Sequence, residues 1–583
     1  MATTGNAADS AGITYTVSFP EAQAHYADVE MKLTGLKQNT LELKMPVWTP
    51  GSYLVREFQR NIETLTVTAN GKEIATTKTR KNIWQVNTTG ITNLTVKYRV
   101  YAFEISVRTS FIDAKHGFLS SPDIFIYPGN MLQSPSTIHI VPYKGWDSVS
   151  TSLEKVNGDS FTRYSPNYDI LFDSPIEVGN QDVFGFKVGG VAYEVAMVGG
   201  GSYDKARLTK DLTKVIEQEV AIFGENPNKH YTFIVHNYLK GSGGLEHLSS
   251  TVLGASRDAY ATDNGYENFL SLAAHEHFHL WNVKRLRPIV LGPFDYDNEN
   301  YTTNLWIAEG FTAYYQDIVV RRTQLYSPEN YLAVLAVEIN QLENQPGVKV
   351  QSLSASSYDA WIKAYRPNEN SANSTISYYT KGALVALMLD LEIIKDSKGK
   401  SSLDDVMKYM YNEYYKAKGR GYTDAEFKQA LEKFAGKNLD QFYADYINGL
   451  TPIDYNKYVA YAGYKITDDL AGSNNAELGI TRYPGIPRVI VTNVIRGGSA
   501  WVDGINVNDE IVAIDGAPVP ETGDLIAGKK PGDKIMVRLV RDGLTQTLPV
   551  TLLKSNRVKY KFEELPNANA EQLAVRKKWL TLK

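Results

Sequence analysis

The chain has 583 residues, too many for one hydrophobic core, and should fold as about three or four domains. Its net charge of -4, with no lysine-rich run, offers little to neutralise nucleic-acid phosphates, and no apolar stretch approaches the length of a membrane span. Cysteine is absent, which excludes disulfides, thiol nucleophiles and Cys-ligated zinc. That usage suits an oxidising compartment. A periplasmic or secreted location is expected, with the cytosol as the alternative, because Met1 to Gly12 carries no signal-peptide core.

From about Ile13 to Val198, alternation such as Leu94, Val96, Tyr98 and Val100, with a hairpin signal at Asn70-Gly71, predicts an all-β domain over residues 1–200. Asp204 to Phe223 has helical spacing through Leu208, Leu212, Val215, Ile216 and Ile222 and is closed by Gly224. A strand, Tyr231 to His236, leads into the glycine-rich Gly241-Ser242-Gly243-Gly244-Leu245-Glu246-His247, then a helix through His275 and an apolar helix from Leu305 to Val320. From Thr380 to about Leu450 the pattern is helical, with caps at Ser402-x-x-Asp405 and Thr423-x-x-Glu426. Residues 201–455 therefore read as one domain whose last part, about 380–455, is a helical subdomain. Residues 460–555 change to short strands between Gly and Asn turns, and the tail, 556–583, ends in a short amphipathic helix from Gln572 to Leu580. The class is multidomain α+β.

His275-Glu276-His277-Phe278-His279 contains His-Glu-x-x-His. Residues four apart stack on one helical face, so His275 and His279 can offer two imidazole nitrogens to one zinc ion. Glu276 then stands beside the metal, where a carboxylate can take the proton of a water whose pKa the ion lowers to roughly 7. That is the chemistry of a metallopeptidase. His277 faces elsewhere on the helix and reads as a core or supporting residue.

A catalytic zinc wants a third protein ligand and an open position. Glu309 is the best source, as the one carboxylate in the apolar run Leu305 to Tyr315, because a buried carboxylate is costly unless a metal or partner neutralises it.

His-Glu-x-x-His followed by Trp306-x-x-Glu309-Gly310-x-Thr312 resembles the gluzincin metallopeptidases. The run His275 to Pro288 and the segment Pro46 to Tyr53 are similar to the glycyl aminopeptidase family within that group. So is a PDZ-like segment, from Leu478-Gly479-Ile480 through Gly498-Ser499-Ala500 to Gly516. The resemblance implies a thermolysin-like catalytic domain between the β domain and a C-terminal PDZ domain, one zinc ion per chain, and peptide substrates with a free N-terminus, small residues such as Gly and Ala being preferred. Gly243-Gly244-Leu245-Glu246 resembles the Gly-x-Met-Glu-Asn motif of zinc aminopeptidases, which implies an edge strand lying against substrate and Glu246 holding the α-ammonium by a charge-assisted bond. Ser377-Tyr378-Tyr379-Thr380-Lys381-Gly382 resembles the segment carrying their catalytic tyrosine. That implies Tyr379 as the electrophilic donor, with Tyr378 its adjacent rival.

Ala313 stands where thermolysin-like relatives place an Asp that orients a zinc histidine, so the partner of that histidine is unassigned. Lys284, Arg285 and Arg287 read either as contacts for a substrate carboxylate or as a solvated loop. Leu478, Gly479 and Ile480 could bind the C-terminus of a peptide, or the PDZ groove could pack against the catalytic domain. Two other functions fit the same residues: an endopeptidase whose substrates the PDZ domain recruits, and an inactive scaffold displaying that domain.

Overall fold

The computed structural model describes residues 12–483, 488–520 and 522–581. Contact density divides the chain into two units. One holds the chain up to Tyr301 with Tyr315–Tyr326 and Met407–Thr423; the other holds Thr302–Tyr314, Ser327–Val406 and everything from Asp424.

The first unit opens with β-structure, an eight-stranded sheet and two four-stranded sheets. Leu94, Val96, Tyr98 and Val100 are all buried, as period-two alternation requires when one face of a sheet meets a core. Asn70 (φ 50°) and Gly71 (φ 74°) both lie in the left-handed region, the turn that joins Ile62–Ala69 to Lys72–Glu73 without splaying the strands.

A further, five-stranded sheet runs in the order Asp182–Val188, Val191–Val198, His230–Tyr238, Ser250–Ser256, Gly244–Glu246. The expected boundary at residue 200 is therefore corrected. The strands from Asp182 to Val198 belong to this sheet, because Val191–Val198 pairs in parallel with His230–Tyr238. A parallel pair needs a crossover, and the helix Lys205–Phe223 supplies it, capped by the Asp204 side chain and stopped by Gly224 at φ 92°. Its expected apolar residues are all buried. Gly244–Glu246 is the short edge strand, antiparallel to Ser250–Ser256. The helix Asp263–Phe278 carries the histidine motif and begins at a Thr262 cap.

In the second unit a π-helical turn, Trp306–Phe311, leads into the regular helix Thr312–Arg322, whose first three residues close this stretch of the unit. Helices begin again at Pro328–Glu343, with Ser327 as N-cap and proline in the first turn, well before the expected start near Thr380. The helix Tyr378–Asp396 packs on the π turn through two glycines. A Cβ on Gly310 would lie 2.6 Å from the Gly382 Cα, and one on Gly382 would lie 2.8 Å from the Trp306 carbonyl. Further along, a six-stranded sheet from Ile480–Arg482 to Leu544–Thr551 encloses its own core of Val489, Val491, Ile511, Val537 and Leu539. The closing helix is Ala570–Leu580, with a capping box from Asn569 and Gln572 and with Trp579 buried.

Because the two helices meet backbone to backbone, Gly382→Ala should overpack that contact and cost about 1–3 kcal/mol. The thermal midpoint should fall by several degrees; an unchanged melt would show that the helices have room for a methyl group.

Candidate active site

His275, Glu276 and His279 are 8%, 4% and 1% exposed. The His275 Nδ1 meets the Gln316 Oε1 at 2.7 Å, and the His279 Nδ1 meets the Asn282 carbonyl at 2.7 Å. Both partners are acceptors, so each Nδ1 carries the proton and each Nε2 presents a lone pair. Those two Nε2 atoms lie 3.1 Å apart. Two nitrogens each roughly 2.0–2.1 Å from a tetrahedral ion stand about 3.3 Å apart. The pair fits a shared zinc ion.

Glu246, Glu276 and His279 offer atoms that all lie within 4.8 Å of one another. Two glycines permit this crowding. A Cβ on Gly244 would sit 2.1 Å from the Glu276 Oε1, and one on Gly51, at φ +87°, would sit 2.5 Å from both Glu246 oxygens. Glu246 is 3% exposed and its Oε1 has no hydrogen-bond partner. An orphaned oxygen on a buried carboxylate is a place where a cation binds. Beside it is a cavity of about 10 Å³, walled by Trp48, Tyr53, Val283, Leu291 and Phe294. That is about the room one water needs. Val283 reaches this wall from a backbone at φ 126°, a strained conformation for a β-branched residue.

His277 is wholly buried, as expected for a residue off the metal-facing side. It hydrogen-bonds the Glu219 carboxyl through Nδ1 and the Tyr193 hydroxyl through Nε2 at 3.1 Å. Burial lowers the imidazole to about 3 and raises the Glu219 carboxyl, so the pair holds one proton and little net charge behind the motif helix.

In the second unit, Glu309 is 1% exposed on the π-helical turn. Tyr378 is fully buried with no hydrogen-bond partner for its hydroxyl, and burial first, then Tyr365 and Glu309, raises its pKa well above the usual phenol value. Tyr379 is half-buried, its ring 4.7 Å from that of Tyr378. Lys381 is buried, and desolvation lowers it to about 8. In the PDZ segment Leu478 is buried, Gly479 has φ +77° and Ile480 begins an edge strand. Gly479 and Ile480 open on a cleft of about 700 Å³ whose other wall runs from Glu343 to Val350. Asn373 clamps the domain from nearby, donating to the Val494 carbonyl and accepting from the Arg496 N–H, each at 2.8 Å.

The Peptidase M61 N-terminal domain matches residues 14–180, and the M61 glycyl aminopeptidase domain matches residues 268–385. The chain belongs to the M61 glycyl aminopeptidase family. It is a metallopeptidase of the aminopeptidase type, with a PDZ domain matched over residues 472–552. The solved structure of an aminopeptidase N family protein from Idiomarina loihiensis is 29% identical, covers 98% of this chain and 100% of its own, and superposes with a TM-score of 0.91. An M1 zinc metallopeptidase from Deinococcus radiodurans is 13% identical over 76% of this chain and 94% of its own, with a TM-score of 0.49. A probable periplasmic serine endoprotease, DegP-like, from Ectopseudomonas mendocina (strain ymp) is 34% identical over 91 residues, 15% of this chain and 18% of that relative's length.

Measured against the family pattern, two site features were hidden in the sequence. Gln316, not a residue at position 313, orients His275. Lys284 and Arg285 do not form a solvated loop. Both are buried, Lys284 on the Asp173 carboxylate at 2.7 Å and Arg285 on the Asn228 Oδ1 and the Leu280 carbonyl. Burial alone would raise Asp173, but Lys284 and His247 hold it at about 2. The Arg287 guanidinium lies 4.8 Å over the Phe294 ring. Removing the Gln316 amide should let the His275 ring turn. Gln316→Ala is therefore expected to weaken zinc retention about 10–100-fold, read by competition with a chelator; wild-type retention would show that His275 needs no such partner.

Proposed function

We propose that the protein releases small N-terminal residues, glycine and alanine foremost, from peptides, using one zinc ion per chain held by His275, His279 and Glu309. The observation that carries the exopeptidase reading is the Glu246 carboxylate, buried beside the histidine motif with one oxygen unmatched, as a site for a substrate α-ammonium would be. The small cavity next to it supports glycine and alanine, since a larger side chain has no room there. The lack of cysteine accords with a periplasmic or secreted setting, and the PDZ cleft at Gly479 suits the C-terminus of a peptide.

Zinc, when bound, supplies Lewis acidity that lowers the pKa of water to roughly 7 and polarises the scissile carbonyl. The chain's own groups do the rest. Glu246 fixes the ammonium, and the strand Gly243-Gly244-Leu245 aligns the substrate backbone along the sheet edge. Glu276 takes the proton of the attacking water and returns it to the departing amine. Tyr379 donates to the oxygen on which negative charge develops, and Tyr378 braces it from the buried side.

Glu276→Gln removes the base and leaves the imidazoles in place. Zinc content should stay near one per chain while kcat for a glycine anilide collapses; substantial turnover in the zinc-loaded variant would rule Glu276 out as the base.

Acetylating a substrate's N-terminus removes the charge that Glu246 is assigned to hold, and cleavage should stop. In parallel, Glu246→Ala should raise KM and lower kcat/KM on the free peptide. Efficient cutting of an acetylated peptide at an internal bond would establish endopeptidase action instead.

A further inference from the structure

Arg108 reaches the edge strand from a loop, a cation with no carboxylate partner among the described residues. Its loop is anchored by Val107, which shares a small buried cluster with Leu245, Ile234 and Val252. The Arg108 N–H donates to the Ser106 hydroxyl at 3.1 Å and its carbonyl accepts from the Ser120 hydroxyl at 3.2 Å. From that fixed base the guanidinium donates to the Gly244 carbonyl at 3.1 Å, and NH1 lies 3.7 Å from where a Gly243 Cβ would be. The Arg108 Nε is buried with no hydrogen-bond partner, and among the described residues no carboxylate pairs with this side chain.

The Gly244 carbonyl is the acceptor a substrate would otherwise use. Along an antiparallel strand the main-chain groups alternate between neighbour and free edge. The Gly243 carbonyl accepts from Gly254 and the Leu245 carbonyl from the Thr251 hydroxyl, so both point into the sheet and the Gly244 carbonyl points outward. An extended peptide added to this edge would normally give it an N–H. Arg108 occupies that acceptor and presents donors in its place. A group with acceptors only fits there, whereas a further peptide N–H meets another donor.

Spacing identifies the group. Glu246 and Gly244 are two residues apart on the strand, about 7 Å at roughly 3.3 Å per residue. An extended dipeptide spans about the same length from its ammonium to its carboxylate. Glu276 lies against Gly244, and its reach falls within this interval. With the ammonium on Glu246, the single peptide bond of a dipeptide faces the base and its carboxylate comes level with Arg108.

We propose that Arg108 binds the C-terminal carboxylate of the substrate by a charge-assisted, forked contact, so that dipeptides with a small first residue are the preferred substrate class. This rests on the aminopeptidase reading above. The test compares glycyl-leucine with glycyl-leucinamide, which differ only in the terminal charge, as a ratio of kcat/KM within each protein. The wild type should favour the acid by about tenfold or more, and in Arg108→Met the ratio should fall to about one. Arg108→Lys, which keeps the charge but not the fork, should retain an intermediate ratio. A wild-type ratio near one needs no variant and overturns the proposal. So does a ratio unchanged in Arg108→Met, which would leave Arg108 as a brace for the strand. If the wild type releases glycine from neither compound nor from glycine anilide, the aminopeptidase reading itself has failed, a result distinct from either ratio.

Discussion

Concentrated negative charge in a place closed to water is the constraint around which this site is built. Glu246 and Glu276 are buried with ligand atoms within 4.8 Å of each other and of His279. Two carboxylates so close in a low-dielectric setting repel, and nearby positive charge relieves that repulsion. The metallopeptidase reading supplies two such charges, a metal ion at the imidazole pair and an ammonium at Glu246.

Other buried acids in the same unit show what a structural solution looks like. Glu177, fully buried, is held between His116 at 2.7 Å and His236 at 2.9 Å. Burial pushes its carboxyl up, but the two histidines outweigh that and leave it below its ordinary value. Asp173 has Lys284 and His247, and Glu219 takes up a proton beside His277. Each of these acids has its own counter-charge or gives up its charge. Glu246 instead has an oxygen left unmatched. Arg108, whose side chain rests on the same strand, is the mirror case, a cation with no carboxylate partner among the described residues.

What could be read from the sequence was whatever depends on local geometry. A four-residue spacing puts two histidines on one face of any helix, so His275 and His279 were legible without a fold. The crossover helix was legible too, because one apolar stripe between an Asp cap and a Gly stop has a single reading. The boundary at residue 200 was not. Strands at Asp182–Val188 and Val191–Val198 alternate like those before them, and nothing in alternation says which sheet a strand joins. Gln316 was hidden because a polar residue on a helix looks solvated until its neighbour is known. The contact between Arg108 and Gly244 spans 136 residues and leaves no local pattern.

The glycines mark the boundary between these two kinds of legibility. Gly244 reads locally as part of a flexible loop, yet it is a strand residue with ordinary backbone angles whose missing side chain makes room for the Glu276 carboxylate. Gly51 does the same for Glu246 from a loop of the β domain far away in the chain, and there the left-handed backbone demands glycine as well. Each contact sets how closely main chain can approach a charged group, and with it how much water stays between them. On the proposed reading of these carboxylates that distance is itself functional, because a methyl group at Gly244 would meet the Glu276 carboxylate and one at Gly51 the Glu246 carboxylate.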